Sequence, residues 1–135
     1  MSMKAISQRA GQYKQTIKIR EHQLIGDEPT DAGGDDAGPS PQELLAASLA
    51  SCTAVTMEMY ADRKGWELGE VEVDVDMDYG DTPAPRSFEV TLRIGADLSD
   101  DQLERLRVIA GKCPVHRLLA KEAEVTITDR VERVQ

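Results

Sequence analysis

A chain of 135 residues is the size of one domain, able to bury roughly two-thirds of the surface its unfolded form exposes. Its 25 acidic and 16 basic residues leave a net charge of −9, which argues against nucleic acid or an anionic membrane as partner, since both attract basic patches. The acidity itself favours solubility.

Aromatic residues make up only 4% of the chain, so Leu, Val, Ile, Met and Ala must build the core. No apolar leader with a cleavage site opens the sequence, and the expected location is the cytoplasm, where disulfides are seldom structural. The two cysteines, Cys52 and Cys113, therefore have three readings: inert core thiols, metal ligands or redox groups.

Taken in order, residues 12–20 alternate, with Tyr13, Ile17 and Ile19 on one side and Lys14, Thr16, Lys18 and Arg20 on the other. That pattern predicts a half-buried strand, paired with a second short strand over 22–25. Residues 27–40 (DEPTDAGGDDAGPS) are polar, rich in Gly and Pro, and read as a loop. The stretch 39–66, PSPQELLAASLASCTAVTMEMYADRKGW, organises the rest. Its residues 44–57 carry no charge and at helical rise span about 21 Å, too short to cross a bilayer. A helix uncharged all round is expected to be buried all round. Ser40 and Glu43 form a capping box around Pro41 at its start, while Arg63, Lys64 and Gly65 signal its end.

Beyond the helix, Val71, Val73, Val75 and Met77 alternate with acidic residues, and Phe88, Val90, Leu92 and Ile94 repeat the pattern after a turn-rich GDTPAP. One wet and one dry face per strand predicts an antiparallel hairpin. Residues 99–112 form a second helix with a capping box at Ser99 and Gln102 and a stripe of Leu103, Leu106 and Ile109–Ala110. KCPVHRLLA then starts a short helix at Pro114, and Val125 and Ile127 suggest a last strand. The architecture is α+β, an antiparallel sheet wrapped around one long buried central helix in a single domain covering 1–135. One small sheet cannot cover every side of that helix, so a partner subunit is expected to cover the rest.

The residues leave the chemistry open at first. Cys52, in an apolar helix, suits a small buried hydrophobe. Cys113, at a helix end beside Lys112 and before a Pro, has surroundings that favour a thiolate. Cys113 and His116 are spaced like half of a zinc site that Cys52 and His22 would complete, without a paired CxxC or HxxxH signature. A Cys–His hydrolase would need an orienting group and an oxyanion hole, to which nothing in the sequence points.

PSPQELLAASLASCTAVTM followed by KCPVHRLL resembles the OsmC/Ohr family of osmotically induced and organic hydroperoxide resistance proteins, over nearly the whole chain and in the same order of elements. The resemblance implies an intertwined homodimer whose sheets wrap two central helices. It also implies that Cys52 attacks an organic hydroperoxide, that Cys113 resolves the product, and that an external dithiol, lipoyl-linked in the family, regenerates the pair without a resident cofactor or metal. In that family an Arg from the N-terminal part, held by a Glu at the start of the central helix, activates the thiol. Chain order makes Arg20 the candidate. The position ten before Cys52 holds Gln42 rather than a carboxylate, and Glu43, one step on, lies about 100° round the helix in its capping role. The alternative implied by Gln42 is a redox-sensing or ligand-binding dimer with little turnover. The stripe Leu45, Leu49, Val55 and Met59 near Cys52 fits either a site for alkyl hydroperoxides or plain core.

Overall fold

The computed structural model describes residues 1–134. Its elements are β1 (Ala5–Arg9), β2 (Gln15–Ile19), β3 (His22–Gly26), a 3-10 turn at Thr30–Ala32, α1 (Pro41–Lys64), β4 (Val71–Asp78), β5 (Ser87–Ile94), α2 (Asp100–Ala110) and α3 (Pro114–Leu119). They fall into two compact units. One comprises Met1–Ser48 and Val75–Glu89, the other Leu49–Asp74 and Val90–Gln135.

In the first unit β1, β2 and β3 form an antiparallel sheet in that order, with Ala5 opposite Ile19 and Ile19 opposite His22. β1 gives no apolar alternation, and all five of its residues are exposed; backbone pairing to β2 and a Ser7 Oγ hydrogen bond to Gln15 Oε1 at 2.7 Å hold it. The two-residue connection between β2 and β3 is Arg20–Glu21, and Arg20 adopts φ 54°. The loop after β3 is organised by Asp27, which is 2% exposed. Its carboxylate accepts the backbone N–H groups of Glu28, Asp35 and Ala37 at 2.8, 3.3 and 3.1 Å. A Gly-rich stretch without periodicity thus acquires a fixed path from one buried anion. This unit buries no large apolar side chain among the described residues, and Ile6, Tyr13 and Leu24 remain 45–49% exposed.

α1 begins and ends as its sequence dictates. Ser40 Oγ accepts the Glu43 N–H at 3.2 Å and Glu43 Oε1 accepts the Ser40 N–H at 2.8 Å, a complete capping box. At the other end Gly65 takes φ 73°, letting Trp66 N–H reach the Ala61 carbonyl and Gly65 N–H the Asp62 carbonyl. The expectation that the helix is buried all round is corrected. Its buried residues are Leu49, Thr53, Met57, Tyr60 and Ala61, a single stripe at helical spacing, whereas Val55 is 45% and Met59 62% exposed. Lack of charge removes the penalty for burying a face but supplies nothing to bury it against. With 24 residues, α1 is also long and apolar enough to cross a membrane by length and composition. Its ends carry Glu43, Glu58, Asp62, Arg63 and Lys64, and its buried stripe packs on protein.

The second unit holds the core. Met57, Tyr60 and Ala61 of α1 meet Leu68 and the Leu106, Ile109 and Ala110 stripe of α2, with Val71, Val73, Leu92 and Ile94 of the strands packed against them. β4 and β5 form a two-stranded sheet whose antiparallel ends are pinned by Arg86 N–H on the Asp78 carbonyl and Gly95 N–H on the Glu70 carbonyl. α2 opens with the predicted capping box, Ser99 with Gln102. The predicted strand around Val125 and Ile127 is not formed. Residues 122–134 hold no helix or strand, and these two side chains are 58% and 80% exposed. An alternating pattern becomes a strand only where a neighbour completes its ladder, and a single chain offers this segment none.

Candidate functional site: a pair of thiols

The two cysteines are 61 positions apart in sequence and both lie in the second unit, both as free thiols. Cys52 sits midway along α1 and is half-buried; Cys113 has no exposed surface. Cys113 takes the N-cap of α3, where its Sγ accepts the His116 N–H at 3.5 Å and Pro114 follows as the first helical residue. A Pro there sacrifices no hydrogen bond, because that N–H has no partner inside the helix. The cap places the Cys113 side chain where, after burial, it is the neighbour that acts most on the Cys52 thiol.

Burial, first, and the contact with Cys113, second, raise the Cys52 pKa above the ordinary thiol value. The Val115 backbone N–H acts the other way, and so, least of all, does Thr56. Thr56 has one hydroxyl proton and donates it to the Cys52 carbonyl at 2.7 Å, which explains its small effect on the sulfur. No cation is among these influences. A pair with one accessible and one shielded sulfur suits a sequence in which the first is oxidised and the second then closes a disulfide.

Arg20, Gln42 and Glu43 belong to the first unit. Arg20 is exposed at the β2–β3 turn, in a left-handed conformation that costs a non-glycine residue about 1–3 kcal/mol. Gln42, in the first turn of α1, donates through Nε2 to the Pro83 carbonyl at 3.5 Å, the long limit of a hydrogen bond. Glu43 is occupied by the Ser40 cap. Of the stripe beside Cys52, Leu49 is buried and Val55 and Met59 are exposed, so these positions do not share one environment. Among the described residues no three His, Cys, Asp or Glu side chains are grouped to hold a metal ion.

Sequence reasoning missed Val115 and Thr56 as neighbours of the thiol. Thr56 was detectable, being one helical turn beyond Cys52; the Val115 N–H depends on how α3 docks and leaves no sequence mark.

Residues 33–128 match the family model of OsmC-like proteins. Over 96 residues, 70% of this chain and 73% of the other, the sequence is 30% identical to an uncharacterized protein of Haloferax volcanii. The fold is similar to that of an OsmC-like protein from Mycoplasma pneumoniae, at 17% identity and a TM-score of 0.77, with 89% and 88% of the two chains covered. It is also similar to the organic hydroperoxide resistance protein OhrB of Bacillus subtilis, at 22% identity and a TM-score of 0.59, with 87% and 90% covered. At those identities the solved structures carry the fold alone, while the family model takes in both α1 with Cys52 and α3 with Cys113. The chain belongs to the OsmC/Ohr family.

Proposed function

We propose that this chain reduces organic hydroperoxides through Cys52 and Cys113, in defence against oxidative stress, as a cytoplasmic homodimer of one OsmC-like domain spanning 1–135. The observation that carries the proposal is the pair of free thiols, drawn from two distant elements and acting on each other, with one sulfur half-accessible and the other shielded. The Cys52 thiolate attacks the peroxide O–O bond. An S–O bond forms, the O–O bond breaks, and the departing alkoxide takes a proton to leave as an alcohol. Cys113 then attacks the sulfenic acid sulfur, closing a disulfide and releasing water. An external dithiol, lipoyl-linked by family resemblance, returns the two electrons.

Support for the substrate class comes from family membership and from the fold shared with the hydroperoxide resistance protein of Bacillus subtilis. In this reading Arg20 stabilises the thiolate, with Gln42 and Glu43 at the start of α1 in place of the usual carboxylate arrangement. A homodimer is supported by the exposed Val55 and Met59 on α1, by the lack of an apolar core in the first unit, and by the unpaired apolar positions Val125 and Ile127.

Two observations favour a second reading, a redox-sensing or ligand-binding dimer with little turnover. Cys52 holds its proton more tightly than a free thiol, and Gln42 stands where the family has a carboxylate. Steady-state assays with cumene hydroperoxide and a dithiol, beside hydrogen peroxide, distinguish the two. Preferential turnover of cumene hydroperoxide supports the enzyme. Stoichiometric oxidation without turnover supports the sensor.

A further inference from the structure

Cys113 is fastened through its backbone on both sides. Its N–H donates to the Ala110 carbonyl at 3.2 Å, and its carbonyl accepts the Arg117 N–H at 3.0 Å. The far end of α3 is closed as well, with Lys121 N–H on the Leu118 carbonyl at 3.1 Å and Glu122 N–H on the Arg117 carbonyl at 2.8 Å, the two bonds of a Schellman stop. The sulfur is the part of Cys113 left to move, by rotation about its Cα–Cβ bond. In the dithiol form it rests on the His116 N–H at 3.5 Å, and the residue has no accessible surface.

This asymmetry bears on how a Cys52–Cys113 disulfide is opened again. Exchange depends on which sulfur is attacked and on access to it. Cys52 is half-buried and Cys113 fully buried, so an incoming thiolate meets the Cys52 sulfur first. Attack at Cys113 would first have to uncover it. The cap acts in the same direction. A neutral sulfur is a weak acceptor, whereas a thiolate in the same place accepts a charge-assisted bond, roughly twice as strong as a neutral one. The His116 N–H therefore favours Cys113 as the leaving sulfur.

We infer that a reducing dithiol enters at Cys52 and that Cys113 departs as a thiolate onto the His116 N–H. The reductant's thiolate forms an S–S bond to Cys52. The Cys52–Cys113 bond breaks, and its electron pair goes to Cys113, which then takes a proton from solvent. The second thiol of the reductant attacks the reductant's own sulfur in the mixed disulfide, frees Cys52 and closes the reductant's disulfide. The protein gains two electrons and two protons. A monothiol lacks that last step, so Cys113 re-attacks Cys52 and expels it. The inference rests on the disulfide of the proposed function, though not on the hydroperoxide that forms it.

The test closes the disulfide in the full chain with one equivalent of diamide, a diazene that takes up the two thiol hydrogens, and checks the mass. 2-Mercaptoethanol is then added, the reaction is quenched in acid within seconds, and the mixed disulfide is mapped by mass spectrometry. The expected adduct is on Cys52 with Cys113 free, at least about tenfold over the reverse. The His116 amide proton should also shift between the disulfide and dithiol forms by more than that of Leu119, at the far end of α3. An adduct on Cys113 or shared evenly, or a His116 amide that moves less than Leu119, would overturn the inference and leave the peroxidase reading standing. Failure of diamide to close the disulfide would overturn both. A Cys52 adduct in a chain that leaves hydroperoxides intact would uphold the inference alone.

Discussion

Replacing Cys113 by Ala or by Ser separates what this residue does for the fold from what it does to Cys52. In the wild type its sulfur is fully buried, caps α3 by accepting the His116 N–H, and adds to the upward shift of the Cys52 pKa both by hydrogen bond and by charge. Cys113→Ala removes all three. Loss of a side-chain cap costs about 0.5–2 kcal/mol, and Ser retains an acceptor at the same place. The Ala variant should therefore be less stable than the Ser variant by about 1 kcal/mol, or roughly 3–5 °C in Tm for a domain of this size. In both variants one raising influence on Cys52 is lost or altered while burial persists. The Ala variant, with no side-chain hydrogen bond at all, should show the larger fall in Cys52 pKa. The assay is iodoacetamide alkylation of Cys52 against pH. The wild-type rate should climb about tenfold per pH unit through neutrality, with its inflection above that of a free thiol; the Ala curve should lie to the acid side.

Stability follows the same sign. The folded wild type holds the Cys52 proton more tightly than the unfolded chain. Its contribution is complete below the unfolded thiol value of about 8.5 and is lost as pH rises through the higher folded value. Cys113→Ala should weaken that alkaline loss. Coincident alkylation curves, with equal Tm for the Ala and Ser variants, would refute both the cap and the coupling.

Further outcomes follow from other parts of the chain. Gln42→Glu should raise the second-order rate with an organic hydroperoxide at pH 7 by up to about tenfold, because a charge-assisted pair holds an Arg about twice as firmly as a neutral bond does; stopped-flow oxidation across pH reads this, with Cys52→Ser as the blank. Asp27→Ala should cost about 2–3 kcal/mol in urea unfolding, since it leaves three backbone N–H groups without their buried acceptor. Light scattering at micromolar concentration should give twice the chain mass of 14.8 kDa; a stable folded monomer would contradict the homodimer.

The elements that alternation and capping residues can encode were legible. β2, β4 and β5 follow from period-2 patterns, and both long helices start at the capping boxes of Ser40 and Ser99. β1 was not legible because its exposed residues carry no pattern; pairing to β2 holds it. Asp27 looked like one acid among many in a loop; its burial comes from the path of the surrounding chain. Val125 and Ile127 show the converse, a strand pattern without a strand partner. For the site, the residues alone left Cys52 and Cys113 as core thiols, metal ligands or redox groups, and only resemblance joined them. Docking of α3 against α1 is what places the two sulfurs together, and that is a tertiary event that neither helix encodes on its own.

The central claim is that Cys52 and Cys113 act as one redox pair, and mass spectrometry after one equivalent of cumene hydroperoxide tests it most directly. The wild type should lose two hydrogens, with a peptide linking Cys52 to Cys113, while Cys113→Ser should gain one oxygen at Cys52. Two free thiols in the treated wild type, or a sulfenic acid on Cys52 that never closes onto Cys113, would contradict it.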